Sequence, residues 1–323
     1  MKTDKLKYLL HSGKNSKLKY FALNYIRMLL PHSIYASRLA KVLAGAERRK
    51  DIEYMRRRVD YYCKLDKIVC LPENAASLSG HKKPRHKSVY YFDTVEYTRW
   101  YPGYLRWAFC PGDVTYVPDV PSIVKSRPIA GDNANSVLMK LNKVRHFIFV
   151  DDRKTFREKK PMAIFRGKCH SNELRVRFME KYYGHPLVDA GDVCRHPQRE
   201  EWRVDKMTIP EHLDYRYVIS IEGNDVATNV KWVMSSHSLL IMPRPRYETW
   251  FMEGLLQAGV HYVEVKDDFS DLVDKIEYYN SHPQEAEVII RNANEYVSQF
   301  RDSKREKLIS LMVLEKYFKK TGQ

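Results

Sequence analysis

The strongest constraint on this chain lies between residues 217 and 278, where short apolar runs alternate with polar turns and segments of helical period. Tyr217–Ile221 is apolar and leads into Gly223. Helical period is expected from Asp225 to about Ser236. Further apolar runs cover 238–242 and 262–265, and helical period resumes near Ser270. Apolar runs of this length read as buried strands, and strands alternating with helices build a parallel sheet. The fold class expected is therefore α/β with a doubly wound parallel sheet. Such sheets take ligands beyond the carboxyl ends of their strands, so the polar turns that follow each run are where a site is sought.

The pattern starts earlier in the chain. Met162–Phe165 reads as a strand ending at Arg166–Gly167, followed by a helix through Leu174, Phe178 and Met179 and a strand at Leu187–Val188. In front of it, 90–93 and 105–110 read as strands, 111–134 as a proline-rich extended loop, 135–145 as a helix and 147–150 as a short strand. Residues 17–45 read as a basic helical pair broken at Pro31, 47–62 as a charged helix, and 283–320 as a helical tail. The expected division is a basic helical segment (1–60), a front domain (61–155), a regularly alternating strand–helix domain (156–300) and a C-terminal helix across the body (301–323).

Charge is unevenly placed. Residues 1–100 hold 22 Lys/Arg against 9 Asp/Glu, and the rest hold 34 against 31, for a net charge of +16. A basic excess attracts polyanions: nucleic acid, anionic lipid or phosphorylated glycan. No Arg/Gly tract, zinc spacing or RNA motif is present, so no nucleic acid is expected. Five scattered cysteines without C-x-x-C form neither a disulfide framework nor a zinc site and fit a reducing compartment. Lys2, Lys5, Lys7, Lys14, Lys17 and Lys19 interrupt any signal-peptide-like run. No stretch approaches the ~18 apolar residues of a membrane span. A cytoplasmic protein is expected; the basic helical pair either lies on an anionic membrane or packs on the domain.

Three segments carry candidate chemistry. Residues 164–168 run from a strand through a glycine turn into a helix with Arg175 and Arg177 in its first turns, a pattern suited to phosphate oxygens. Residues 221–231 repeat it: Gly223 permits close backbone approach, Asn224 or Asp225 fits a helix cap, and Lys231 follows within the helix. Residues 112–119 place Asp113 and Asp119 in a loop after a strand, where a carboxylate is either a turn former or a general base. Lys125 and Arg127 form a basic turn able to grip an anionic acceptor. No Asp-x-Asp, Walker loop, G-x-G-x-x-G or G-x-S-x-G occurs, so neither a metal nor a cofactor is expected.

Taken in order, Phe165-Arg-Gly167, the Tyr217–Met242 block, Tyr247-Glu-x-Trp-Phe251 and His261-Tyr-Val-x-Val265 with Asp268-Phe-Ser-Asp-Leu272 resemble glycosyltransferase family 90. The resemblance runs from about Tyr91 to Phe300. Lys125-Ser-Arg-Pro-Ile129, Asn135-Ser-Val-Leu138 and Lys143-Val-Arg-His-Phe147 resemble its short bacterial branch, which builds lipopolysaccharide cores. The resemblance implies two Rossmann-like domains of the GT-B type with the active site in the cleft between them. It also implies an inverting transfer from a UDP-sugar without metal to an anionic glycolipid. It implies Asp113 as the catalytic base and Arg166, Gly167 and Arg175 at the donor phosphates. Gly223, Asn224, Asp225, Val226, Ala227, Thr228 and Asn229 would form the donor-binding turn, and Glu248 would hold the ribose. Eukaryotic relatives often end that turn with Arg; here Asn229 stands, with Lys231 to supply the charge. The competing readings are a non-catalytic RNA- or polyanion-binding protein and a glycan phosphotransferase.

Overall fold

A computed structural model of the protein describes residues 11–86, 88–169 and 172–323. Lys2, Lys5 and Lys7 of the basic N-terminal segment lie outside the described residues. The chain is mixed α/β with parallel sheets. The described residues open with α1 (Lys17–Leu29), α2 (His32–Ala36), α3 (Leu39–Glu47) and α4 (Ile52–Tyr62). Next come β1 (Ala76–Ser77), α5 (Ser88–Thr98), β2 (Arg106–Cys110), β3 (Ser122–Val124), β4 (Ser126–Pro128), β5 (Ser136–Leu138) and α6 (Lys143–His146). The regular part holds β6 (Lys160–Gly167), α7 (Glu173–Tyr182), β7 (Val188–Asp192), α8 (Ile209–His212), β8 (Tyr215–Ile219), α9 (Val230–Met234) and β9 (Leu239–Met242). It closes with β10 (Tyr247–Thr249), β11 (Val263–Glu264), α10 (Leu272–Ser281), α11 (Pro283–Ser298) and α12 (Ser303–Lys320).

Two compact units share these elements. The first unit combines the segment ending at Asn15 with Arg145–Pro245 and Leu255–Gln299; the second combines Ser16–Val144, Arg246–Gly254 and Phe300–Gln323.

The first unit is built on a five-stranded, wholly parallel sheet of order β11-β9-β8-β6-β7. All four residues of β9 are buried, as are Tyr217, Val218 and Ile219 of β8. Strands apolar on both faces need cover on both, which is why they read as continuous runs rather than alternating ones. Phe178 of α7 closes part of the core, its ring 4.9 Å from Phe165 and 5.0 Å from Phe269 between centroids. α7 starts where Asn172 Oδ1 accepts the Arg175 backbone N–H at 2.9 Å. In the unit's own count the strand order is 2-1-3-4-5. The chain therefore winds away from β6 in both directions, and the reversal falls between β6 and β8.

The second unit has a four-stranded sheet, β1-β2-β3-β5, in which β2, β3 and β5 are parallel and β1 is antiparallel. β4 pairs separately with β10, placing Arg127 opposite Glu248. Here the sequence pattern misleads. Residues 90–93 lie within helix α5, not a strand: Tyr90, Asp93, Thr94 and Tyr97 are its buried face, a helical spacing hidden by aromatic residues of high strand propensity. The expected helix over 135–145 is strand β5 followed by the short α6, separated by Asn142 in the left-handed region at φ 54°. The expected loop 111–134 contains β3 and β4. No strand forms at 147–150.

Glu306 of α12 binds the second unit together. Buried at 2% exposure, it accepts bonds from Arg58 Nη1 (2.5 Å), Lys140 Nζ (3.0 Å) and Trp250 Nε1 (2.6 Å). Tyr62 stacks on Trp250 at 3.8 Å and donates its hydroxyl to the Trp250 carbonyl. Burial opposes the Glu306 charge, but Lys140, Arg58 and Trp250 outweigh it and hold its carboxyl below the usual glutamate value. Its stabilisation is therefore complete above the unfolded value of about 4.3 and is lost as pH falls through the depressed folded value. Glu306→Ala strands two buried cations and is expected to cost about 3–5 kcal/mol in urea titration at pH 7. Arg177→Ala, at an exposed pair with Glu173, should move the midpoint little.

Candidate active site

In the first unit the predicted donor segments meet where the strand order reverses. Arg175, in the first turn of α7 after β6, donates from Nη2 to the Ile221 carbonyl at 2.7 Å, just past β8. Its Nη1 bonds the Lys168 carbonyl at 3.0 Å. Asn172 Nδ2 joins the same two connections, donating to the carbonyls of Glu222 and Gly223 at 3.1 Å. A Cβ on Gly223 would stand 3.1 Å from Arg175 Nη2, so glycine is what admits the guanidinium here.

Among the described residues no carboxylate forms an ion pair with Arg175. Desolvation first, and the nearby charge of Arg145 among the smaller contributions, lower its pKa from the ordinary arginine value. Arg145, exposed on α6, has no carboxylate partner among the described residues either. Two neighbouring cations without an ion-pair partner among the described residues are an arrangement that an anion stabilises through charge-assisted bonds. Arg145 was not among the site residues expected from sequence; its signal was its place in the Lys143–Phe147 segment, just ahead of the regular strand alternation.

The other predicted donor residues are placed differently. Arg166 braces the sheet, pairing with Asp189 Oδ1 at 2.7 Å and its carbonyl at 2.8 Å, and Gly167 ends β6. The helix expected over 225–236 is only Val230–Met234. Before it the chain folds back as a turn: Gly223 N–H donates to the Asp225 carbonyl at 3.0 Å, and Asn229 Nδ2 to the Ile219 carbonyl at 3.2 Å. After it the Ser235 and Ser236 hydroxyls return to the carbonyls of Trp232 and Val233. Asp225 therefore does not cap a helix. Within the turn Asn224 is exposed, Thr228 and Asn229 half-buried, and Asp225, Val226 and Ala227 buried. Lys231 is wholly buried at 0% exposure.

In the second unit, Asp113 lies beyond the carboxyl end of β2. Gly112 makes the turn at φ 115°, a left-handed conformation that favours glycine. Ser126 Oγ pins the next residue from both sides, accepting the Val114 N–H at 3.1 Å and donating to its carbonyl at 2.9 Å. Lys125 Nζ bonds Asp113 Oδ1. The pair is asymmetric: the lysine side chain is 2% exposed and the aspartate 24%, so a buried ammonium holds a carboxylate that solvent reaches. The parallel register Cys110↔Val124 brings these residues, 12 apart in sequence, to the same carboxyl end of the sheet. Asp119 is exposed and contributes its carbonyl to Asn135.

Arg127 and Glu248 are brought to each other. Arg127 Nε donates to Glu248 Oε1 at 2.7 Å, its Nη groups bond the carbonyls of Tyr61 and Ser136, and Tyr61 donates to Glu248 Oε2. Both side chains are buried. Among the described residues no group of three or more His, Cys, Asp or Glu is placed to hold a metal ion.

Known proteins match this chain across both units. The family model described as Glycosyl transferase family 90 matches residues 136–320. O-glucosyltransferase LpsA of Dichelobacter nodosus is 44% identical over 308 residues, 94% of this chain and 95% of that protein. Protein O-glucosyltransferase 3 of Homo sapiens is 26% identical over 161 residues, 48% of this chain and 31% of the human protein. Protein O-glucosyltransferase 2 of Danio rerio is 31% identical over 75 residues, 23% of this chain and 15% of the fish protein. The chain thus spans nearly all of the bacterial relative and less than a third of the animal ones. With 94% of the chain inside the first match, every candidate residue from Asp113 to Glu248 lies within it. The matched family and the near-full-length bacterial relative place this chain in glycosyltransferase family 90, and it is a glycosyltransferase.

Proposed function

We propose an inverting transfer from a UDP-sugar to a hydroxyl of a lipopolysaccharide or lipooligosaccharide core, at the cytosolic face of the inner membrane. The names of the relatives favour glucose as the sugar. The observation that carries this reading is Asp113, a solvent-reached carboxylate fixed by Lys125 at the carboxyl end of parallel strands. Asp113 takes the proton of the acceptor hydroxyl as that oxygen attacks the anomeric carbon. The bond from that carbon to the β-phosphate oxygen breaks, its electron pair leaves on UDP, and the configuration inverts. Lys125 positions the base.

Charge on the leaving diphosphate is met by Arg175 and Arg145, with the turn from Gly223 to Asn229 beside them; no metal ion is required in this scheme. The two units are read as the two Rossmann-like domains of a GT-B enzyme, the first for the donor and the second for the acceptor. Arg127, Glu248 and Lys231 are left out of direct substrate contact, because their side chains are buried within the protein.

Asp113→Asn keeps the side chain's size and removes its basicity. Turnover with a core acceptor should fall by about 10²–10⁴-fold while UDP affinity holds. Asp119→Asn, in the same loop, should remain close to wild type; near-normal turnover of Asp113→Asn would remove it as the base. On the donor side, Arg175→Ala should weaken UDP binding by about tenfold to a hundredfold in calorimetry, the worth of one or two charged hydrogen bonds. A melting curve without ligand controls for the carbonyl bonds this variant also loses. UDP affinity should be the same with and without a chelator; its loss in chelator would replace the arginine pair with a metal.

A further inference from the structure

Helix α1 carries apolar side chains on two opposite faces. At 3.6 residues per turn, Tyr20, Phe21 and Asn24 share one side. That side is packed: the Tyr20 hydroxyl donates to Asp93 at 2.7 Å, and the Phe21 ring meets Phe92 at 5.8 Å. Leu18, Ala22, Ile26 and Leu29 fall on the other side, and all four are exposed, Leu18 at 83% and Leu29 at 82%. Of 17 large apolar side chains exposed among the described residues, eight fall between Leu18 and Ile34. Scattered exposed leucines are ordinary, but a contiguous patch of this kind marks an interaction surface.

The helix is held in this orientation. Arg99 donates to the carbonyls of Arg27 and Leu30 at its last turn, and its guanidinium lies 4.0 Å from the centre of the Tyr35 ring. Tyr35 in turn packs edge-on against Trp100 at 5.2 Å. Rolling the outer face inward would break these contacts.

Charge selects the partner. Residues 11–50 hold nine Lys/Arg and a single acid, Glu47. Lys17, Lys19, Arg38 and Lys41 are exposed on this helical segment. A second copy of the chain would bring two such cationic surfaces together. An anionic bilayer answers both features: leucine and isoleucine enter the acyl boundary while lysine and arginine reach the headgroups. No helix among the described residues is long and apolar enough to cross a membrane. We infer that α1 and α2 dock the protein on the surface of an anionic lipid bilayer, lying in its interface. This builds on the glycolipid-acceptor reading above, and the assays below separate the two.

The full chain is tested by flotation with vesicles of phosphatidylglycerol and phosphatidylethanolamine, and with phosphatidylcholine alone. Wild type should bind the anionic vesicles and leave the neutral ones largely unbound. Leu18→Glu/Ile26→Glu should weaken anionic binding by about tenfold or more. Lys17→Glu/Lys19→Glu should weaken it and flatten its salt dependence. Both double variants alter exposed positions and should keep the wild-type melting temperature, UDP affinity and turnover on a soluble, deacylated core fragment. Turnover on a vesicle-embedded acceptor should fall with binding. Equal vesicle binding by wild type and the Leu18/Ile26 variant overturns the inference. So does no wild-type binding to anionic vesicles, or a concentration-dependent dimer that this variant abolishes. Intact vesicle binding with no turnover on either acceptor form would count against the glycolipid-acceptor reading and leave the docking supported.

Discussion

The second unit depends on one buried carboxylate. Glu306 gathers Arg58 from α4, Lys140 from the turn after β5 and the indole of Trp250, so four separate stretches of chain converge on a single side chain. Each cation would be costly to bury alone, and each is tolerated because the others share its counter-ion. A second ion pair, Arg127 with Glu248, works alongside it by holding β10 against β4. Apolar packing alone would leave residues 246–254 free to slide in register; these charged bonds specify one register. Asp113 then sits on a loop whose neighbours Lys125 and Ser126 adjoin that same β4 strand.

Both candidate centres obey one rule of parallel sheets. Arg175 and the Gly223 turn lie past β6 and β8, and Asp113 and Lys125 lie past β2 and β3. At these ends the backbone emerges from a buried strand into solvent, so polar side chains gain freedom to face a ligand while the strand fixes their origin. The two centres differ in their charge balance. Asp113 already has a cationic partner that steadies it. Arg175 bonds carbonyls and forms no ion pair among the described residues, and a like charge lies nearby, which leaves room for an anion.

The first unit was legible because each strand is a short apolar run closed by a polar turn, and parallel strands buried on both faces announce themselves in that way. The turn from Gly223 to Asn229 was given too much helix: nothing local distinguishes Asp225–Asn229 from a helix start until Asn229 is seen bonding back to Ile219. The second unit was less legible. Its strands are two to five residues long, the segment around β5 carries the spacing of a helix, and α5 is so rich in aromatics that it imitates a strand. The partnerships of Lys125, Arg127 and Glu248 depend on pairings across the sheets, which residue type does not encode. Glu248 illustrates the difference: its position looked suited to a ribose, yet both its oxygens are engaged by Arg127 and Tyr61.

The order in which the chain supplies these parts has a consequence for its synthesis. Arg58 and Lys140 emerge from the ribosome long before Glu306, and the second unit needs all three. Until α12 is released, the nascent second unit holds two prospective buried cations with no carboxylate to receive them. Its final closure therefore waits for α12, whereas most of the first unit's sheet can assemble while α11 and α12 are still being made. A growing chain stalled before residue 306 would present a partly formed sheet edge and open apolar surface to solvent. The helix that completes the fold also sets the moment at which the fold begins to exist.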